Sequence, residues 1–214
     1  MLNWEVTTMR MNTLARAMVG VGSLLLVPGI ALAGSPTEWV QDTVIEVKNT
    51  LGNQGPGVSL SREKLNQFSR VIDERFHFPE MARLALGRHW RKRSPEERKE
   101  FVGLFRDLLK KSQFMKMATK AQSEQRYIGE RIEGKRTIVQ AIVVAEDAEI
   151  PVDYHLIRQN GSWMICDLGI DGMRLSQIYR AQFNRVISKG SYNDLVRRMQ
   201  NKLQEVAYET TASR

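Results

Sequence analysis

The sequence predicts an α+β fold: a curved antiparallel sheet of about four strands wrapped by N-terminal and C-terminal helices. Three observations predict it. Apolar residues recur at helical spacing up to about residue 122 and again from 173. Between these stretches the period changes from about 3.6 to 2. The alternating segments are joined by short polar turns, Glu133-Gly134-Lys135, Glu146-Asp147-Ala148 and Asn160-Gly161-Ser162. Connections that short predict an antiparallel meander. Helices, then strands, then helices is the order of a sheet with helices packed on one face.

The elements follow in order. Ser35-Pro36-Thr37-Glu38 is a capping box with Pro at the first helical position, and Val40, Val44, Val47 and Leu51 form the stripe of the helix after it. Asn53-Gln54-Gly55-Pro56-Gly57 ends that helix. Ser61 caps a second helix carrying Leu65, Phe68, Ile72 and Phe76. Phe76-His77-Phe78-Pro79 is a short break, and a third helix runs from Glu80 to about Trp90 with Met81, Leu84 and Ala85. Ser94-Pro95-Glu96-Glu97 repeats the cap and starts the longest helix, on which Phe101, Leu104, Phe105, Leu108 and Met115 share a face. Four strands are expected at Arg126 to Ile132, Arg136 to Ala145, Glu149 to Arg158 and Trp163 to Ile170. In the third, Ile150, Val152, Tyr154 and Leu156 make one apolar face against Asp153, His155 and Ile157. Leu175, Ile178, Tyr179, Phe183, Val186 and Ile187 belong to the next helix, which Lys189-Gly190 stops. Ser191 starts a last helix with Leu195, Val196, Met199 and Leu203. Residues 34–208 therefore read as one domain (helical 34–122, sheet 124–171, helical 173–206), with 209–214 a loose tail.

Residues 1–33 read as a cleaved signal peptide. Arg10 and Arg16 form a basic n-region, Ser23-Leu24-Leu25-Leu26-Val27 is the apolar centre, and Ala31-Leu32-Ala33 is an A-x-A cleavage signal. A membrane anchor is the rival reading, but the apolar stretch contains Pro and three Gly and falls short of the ~20 residues of a span. No Cys lies near the cleavage point to carry a lipid. Residues 1 to 8 fit no part of a signal, which makes Met9 and Met11 alternative starts. The signal leads to the expectation that the mature chain is exported and works outside the cytoplasm.

Composition narrows the function classes. The chain has 214 residues, 26% of them charged, and a mean hydropathy of −0.37. These values exclude a multi-span membrane protein and an acidic disordered chain. A single cysteine, Cys166, excludes an intramolecular disulfide framework and a Cys-rich zinc module. The net charge of +8 with pI ≈ 9.8 admits nucleic acid, an anionic membrane or an acidic protein as partner. Loss of Glu5, Arg10 and Arg16 with the signal leaves +7, and export argues against nucleic acid. So does the mixing of cations with acids, as in Arg91-Lys92-Arg93-Ser94-Pro95-Glu96-Glu97-Arg98.

Catalytic chemistry is not evident. His77, His89 and His155 have no metal-ligand spacing, and no nucleophile elbow, P-loop or dinucleotide fingerprint occurs. Cys166 reads as a buried structural thiol, and Glu146, Asp147 and Glu149 read as a solvated turn. Asp167 and Asp171 flank a strand end. An isomerase of ketosteroid type is conceivable by analogy of fold alone, with no acid–base pair to support it.

Several strings stand out together. Phe76-His77-Phe78-Pro79-Glu80-Met81-Ala82-Arg83-Leu84-Ala85-Leu86-Gly87-Arg88-His89-Trp90 leads into Ser94-Pro95-Glu96-Glu97-Arg98. Later come Ile150-Pro151-Val152-Asp153-Tyr154, Trp163-Met164-Ile165-Cys166-Asp167 and Tyr179-Arg180-Ala181-Gln182-Phe183. In this order they resemble the MlaC-type periplasmic phospholipid-binding proteins, the toluene-tolerance auxiliary family of an ABC transporter, over about Ser69 to Leu203. The resemblance implies an NTF2-like curved sheet and a non-enzymatic lipid shuttle. Its expected partners are phospholipid, an outer-membrane lipoprotein complex, and an inner-membrane ABC transporter complex with its membrane-anchored lipid-binding subunit. Its role there is to maintain outer-membrane lipid asymmetry. It implies no cofactor, only phospholipid as bound cargo with its acyl chains in the apolar interior. Gln113-Phe114-Met115, Met173 to Ile178 and Cys166 depart from the family's usual residues, which bears on cavity shape.

The residues expected to line that interior are Leu84, Phe105, Leu108, Val152, Tyr154, Leu168, Ile170, Ile178 and Phe183. Each is equally readable as ordinary core. Alternatives are a carrier of another lipid such as a hopanoid, a periplasmic NTF2-like enzyme, marked by a buried carboxylate near Tyr154, and a pure interaction module.

Overall fold

Helix starts follow the caps written in the sequence. The computed structural model describes residues 34–52, 60–114, 122–145 and 148–212. Helix α1 (Pro36–Leu51) opens on a complete capping box: Ser35 Oγ accepts from the Glu38 amide, and the Glu38 carboxylate accepts from the Ser35 amide. Ser94 and Glu97 repeat it at α4 (Pro95–Leu109). Ser61 caps α2 (Arg62–Arg75). His77 caps α3 (Phe78–Leu86), its Nδ1 accepting from the Glu80 amide at 3.0 Å.

Several boundaries differ from expectation. Gly87, at φ +57°, ends α3, and a 3₁₀ turn, Gly87–Lys92, replaces the predicted last turn of helix. α4 has 15 residues and passes into a π-turn at Lys110–Phe114. The longest described helix is instead the final one, α6 (Tyr192–Ala212, 21 residues). It runs past Tyr208 to Ala212, where a loose tail is expected. The predicted stop at 53–57, and Met115, lie outside the described residues.

Among the described residues the sheet has the four expected strands and a short fifth. β1 (Glu124–Glu133), β2 (Arg136–Ala145), β3 (Ala148–Gln159), β4 (Ser162–Ile170) and β5 (Met173–Arg174) pair antiparallel in chain order. The fifth is two residues that fold back on Gly169 and Ile170. Its turn, Asp171-Gly172, has both residues at positive φ, which explains its Asp-Gly sequence. β5 leads into α5 (Leu175–Lys189), which lies against α3, while α6 lies against α4 and α5.

Register decides what each sheet face offers. Val139, Tyr154 and Leu168 form one row across β2, β3 and β4; Ala141, Val152 and Ile170 form the next. A third row joins Thr137, Leu156 and Ile165. Ile165 and Leu168 are three apart, so strict alternation would send them to opposite faces. A bulge at Cys166, opposite the His155–Leu156 step, inserts one residue and brings both to the core. The opposite face carries the row Ile138, His155 and Asp167, all buried.

Candidate functional site

The apolar interior is one buried cluster. It takes Val139, Ala141, Val152, Tyr154, Leu156, Ile165 and Leu168 from the sheet, and its other walls from all six described helices. Two aromatic groups fill much of it. Phe105 meets Tyr179 edge-on at 5.1 Å and Phe183 at 5.8 Å, and Phe101 meets Phe183 edge-on at 5.7 Å. Phe114 lies 4.7 Å from Phe76 and 6.3 Å from Phe78.

Polar groups in this interior satisfy one another. Tyr154 Oη donates to Gln125 Oε1 at 3.0 Å, and Tyr127 Oη reaches the same oxygen at 3.4 Å. Burial pushes the Tyr127 phenol up to about 12 and the Tyr154 phenol higher still. Tyr154 is therefore a neutral donor at physiological pH, and its partner is an amide, not a carboxylate. The arrangement provides no general base at Tyr154. Cys166 is fully buried, and that burial raises its thiol to about 12, so it is neither a nucleophile nor an easy oxidation target. Among the described residues no group of His, Cys, Asp and Glu could hold a metal ion. None of the described helices is long and apolar enough to cross a membrane.

Charge is gathered on the other side of the sheet and at the element junctions. The fully buried Asp167 carboxylate accepts from the Leu168 amide, the Ser176 amide, Ser176 Oγ and Arg174 Nε. It ties the start of α5 to β4. Glu80 accepts from both Arg83 and Arg136, joining α3 to β2.

Of the nine expected lining residues, Phe105, Leu108, Val152, Tyr154, Leu168 and Phe183 converge in the interior cluster. Leu84 is buried but lies outside it, and Ile170 is only partly buried. Ile178 is 38% exposed and lies outside the cluster. At about 100° per residue, Leu175, Ser176, Tyr179 and Phe183 fill one arc of α5, and Ile178 falls roughly 110° from its centre. Sequence reasoning missed Gln125, the shared acceptor of the two tyrosines. It also read Asp167 as a strand-end residue, although a lone charge inside Met164-Ile165-Cys166-Asp167-Leu168 demands buried partners.

The strings that are suggestive in sequence touch in space. Arg180 donates twice to the Leu84 carbonyl, at 2.8 and 2.6 Å, and its side chain lies over Gly87, where a Cβ would meet it at 3.1 Å. The His77 amide donates to the Ile165 carbonyl at 2.8 Å, extending the outer edge of β4. A family model described as MlaC protein matches residues 41–201. The chain belongs to the MlaC family. That match contains every contact just described, so these junctions are part of the MlaC domain. Among solved structures, the chain is similar to a phospholipid-binding protein from Ralstonia solanacearum, solved in complex with a phospholipid. Identity is 24%, the TM-score is 0.66, and the alignment covers 80% of this chain and 96% of that one. The likeness shows a shared fold. No curated protein matches the chain.

Proposed function

We propose that this MlaC-family chain is a soluble periplasmic phospholipid carrier. In this reading residues 1–33 export it, and it moves lipid between an outer-membrane lipoprotein complex and an inner-membrane ABC transporter with its membrane-anchored lipid-binding subunit, maintaining outer-membrane lipid asymmetry. The family match over residues 41–201 carries the reading. Two further observations support it. The neighbour of the same fold is described as phospholipid-binding. The interior offers apolar and aromatic side chains from sheet and helices, with the hydroxyls of Tyr154 and Tyr127 already on Gln125.

The physics suits a carrier. Each buried CH₂ is worth about 0.8 kcal/mol, so acyl chains supply affinity by area alone. Among the described residues the interior cluster holds no charged side chain, so it grips no headgroup tightly, which permits release. Tyr154, a neutral donor to an amide, gives the enzyme alternative no acid–base pair.

The test is lipid extraction and native mass spectrometry of protein recovered from cells. Co-purified phospholipid is the expected result. A hopanoid in its place would assign another cargo. Protein that is empty and takes up no phospholipid from vesicles would overturn the carrier reading.

A further inference from the structure

The basic surplus of this protein is concentrated in one place. Residues 34–173 hold 22 Lys and Arg against 20 Asp and Glu, a surplus of two. Residues 174–205, spanning α5 and most of α6, hold seven against two, a surplus of five. Within that segment lies a cleft of about 450 Å³ lined by Arg185, Val186, Lys189, Gly190, Asp194 and Arg198.

The helix geometry explains the cleft. Arg185 and Lys189 are one turn apart on α5, and Asp194 and Arg198 are one turn apart on α6. Gly190 forms the floor of the turn between them, where a Cβ would come within 2.6 Å of Asp194 Oδ2. The single carboxylate in the cleft is already engaged. Ser191 Oγ donates to Asp194 at 2.8 Å, and Arg197 pairs with its other oxygen. Arg185, Lys189 and Arg198 are exposed, and none lies in an ion pair with a carboxylate among the described residues. Three cations therefore face one concavity with no counter-charge left for them.

We propose that this cleft is a docking site for anionic phospholipid headgroups at a bilayer surface. Its size and lining decide the occupant. The centre of a protein–protein interface is marked by aromatic, Met or other apolar anchors. Here the only apolar side chain is Val186, and the remaining lining is charged or glycine. A phosphate-bearing headgroup needs what the cleft has: several donors and positive charge in a small concave space. Docking there orients the protein on a membrane with its α5–α6 turn inward. The inference goes beyond the cargo reading. A protein whose interior is empty but which still prefers anionic vesicles would leave it standing.

The test is co-sedimentation of the full protein with phosphatidylcholine vesicles, with and without phosphatidylglycerol, at low salt and at about 0.15 M, where screening sets in over about 8 Å. The ratio between the two vesicle types cancels any apolar attachment common to both. The variant Arg185→Gln, Lys189→Gln, Arg198→Gln is compared with Arg62→Gln, Arg70→Gln, Lys99→Gln, which removes the same charge from exposed positions elsewhere. A basic residue near an anionic surface is worth about fivefold in binding, so the cleft variant should lose roughly 100-fold of the preference and the control less than tenfold. Lys189→Glu alone should move the ratio in the same direction and serves if the triple variant fails to fold. Equal losses in the two triple variants, an equal affinity for both vesicle types, or capture by an acidic protein but not by anionic vesicles would each overturn the proposal.

Discussion

Asp167→Asn tests whether the β4–α5 junction is held by charge. The two carboxylate oxygens accept from the Leu168 amide at 3.0 Å, the Ser176 amide at 3.0 Å, Ser176 Oγ at 2.5 Å and Arg174 Nε at 2.9 Å. Arg174 Nη2 lies 2.9 Å from the same oxygen as an ion-pair contact without hydrogen-bond geometry. Asparagine keeps one acceptor for the two amides and turns the other into a donor. The serine hydroxyl can rotate to accept from it; the guanidinium cannot. The loss is then one charge-assisted hydrogen bond, about 1.5–3 kcal/mol. Breaking a fully buried pair would cost about 3–5 kcal/mol, but the Arg174 side chain is 25% exposed and can turn to water. The net expectation is about 2–3 kcal/mol, or roughly 5–10 °C in Tm for a domain of this size. Urea unfolding followed by circular dichroism measures it. Asp167→Ala, which also strands the Leu168 and Ser176 amides, should cost more. An Asp167→Asn protein within about 0.5 kcal/mol of the parent would refute the reasoning, because surface substitutions already scatter that much.

Two further outcomes follow from burial. His155 is 4% exposed with no partner for either ring nitrogen among the described residues, and burial, reinforced by Arg174, lowers its pKa from 6.5, against the opposing pull of Asp167, Asp153 and Glu133. The unfolded chain therefore binds the extra proton, and stability is full above about pH 6.5 and falls as the pH drops below it. Urea midpoints at pH 7.5 and 5.5 should show a decrease that His155→Leu reduces; an undiminished decrease would exclude His155 as its source. Cys166, with its thiol at about 12, should resist a disulfide reagent in the native protein at pH 8 and react at the rate of unfolding. Rapid labelling without denaturant would show that the strand opens locally.

The helix starts were legible because each cap is a local device, readable within four residues. Ser35, Ser61 and Ser94 all cap as expected. The strands were legible because polar turns separate them and alternation persists along β3. What the sequence hides is set by long-range geometry. The bulge at Cys166 has no local signature, yet it decides that Ile165 and Leu168 share a face. Ile178 and Tyr179 are equally apolar in pattern, and only the direction from which α4 approaches α5 tells which one is covered. Gln125 becomes visible as a partner of Tyr154 only once β1 lies beside β2 and a tyrosine two strands away reaches across to it.

The division of labour between the sheet faces bears on how the proposed cargo would be released. Ion pairs that fix the architecture, Asp167 with Arg174 and Glu80 with Arg136, start from residues whose register aims them away from the Val139–Tyr154–Leu168 row. On that row the hydroxyl of Tyr154 is occupied by Gln125. A charge facing the interior would either demand a headgroup of opposite sign or carry a desolvation penalty of several kcal/mol when an acyl chain replaced water. Keeping charge on the outer face avoids both. Affinity for an apolar ligand inside then scales with buried area, and no single polar contact has to break before the ligand can leave. For the carrier proposed here, that makes exchange between membranes a matter of opening the packing between helices and sheet. The Asp167 tether holds the start of α5, the helix that carries Tyr179 and Phe183 into that packing.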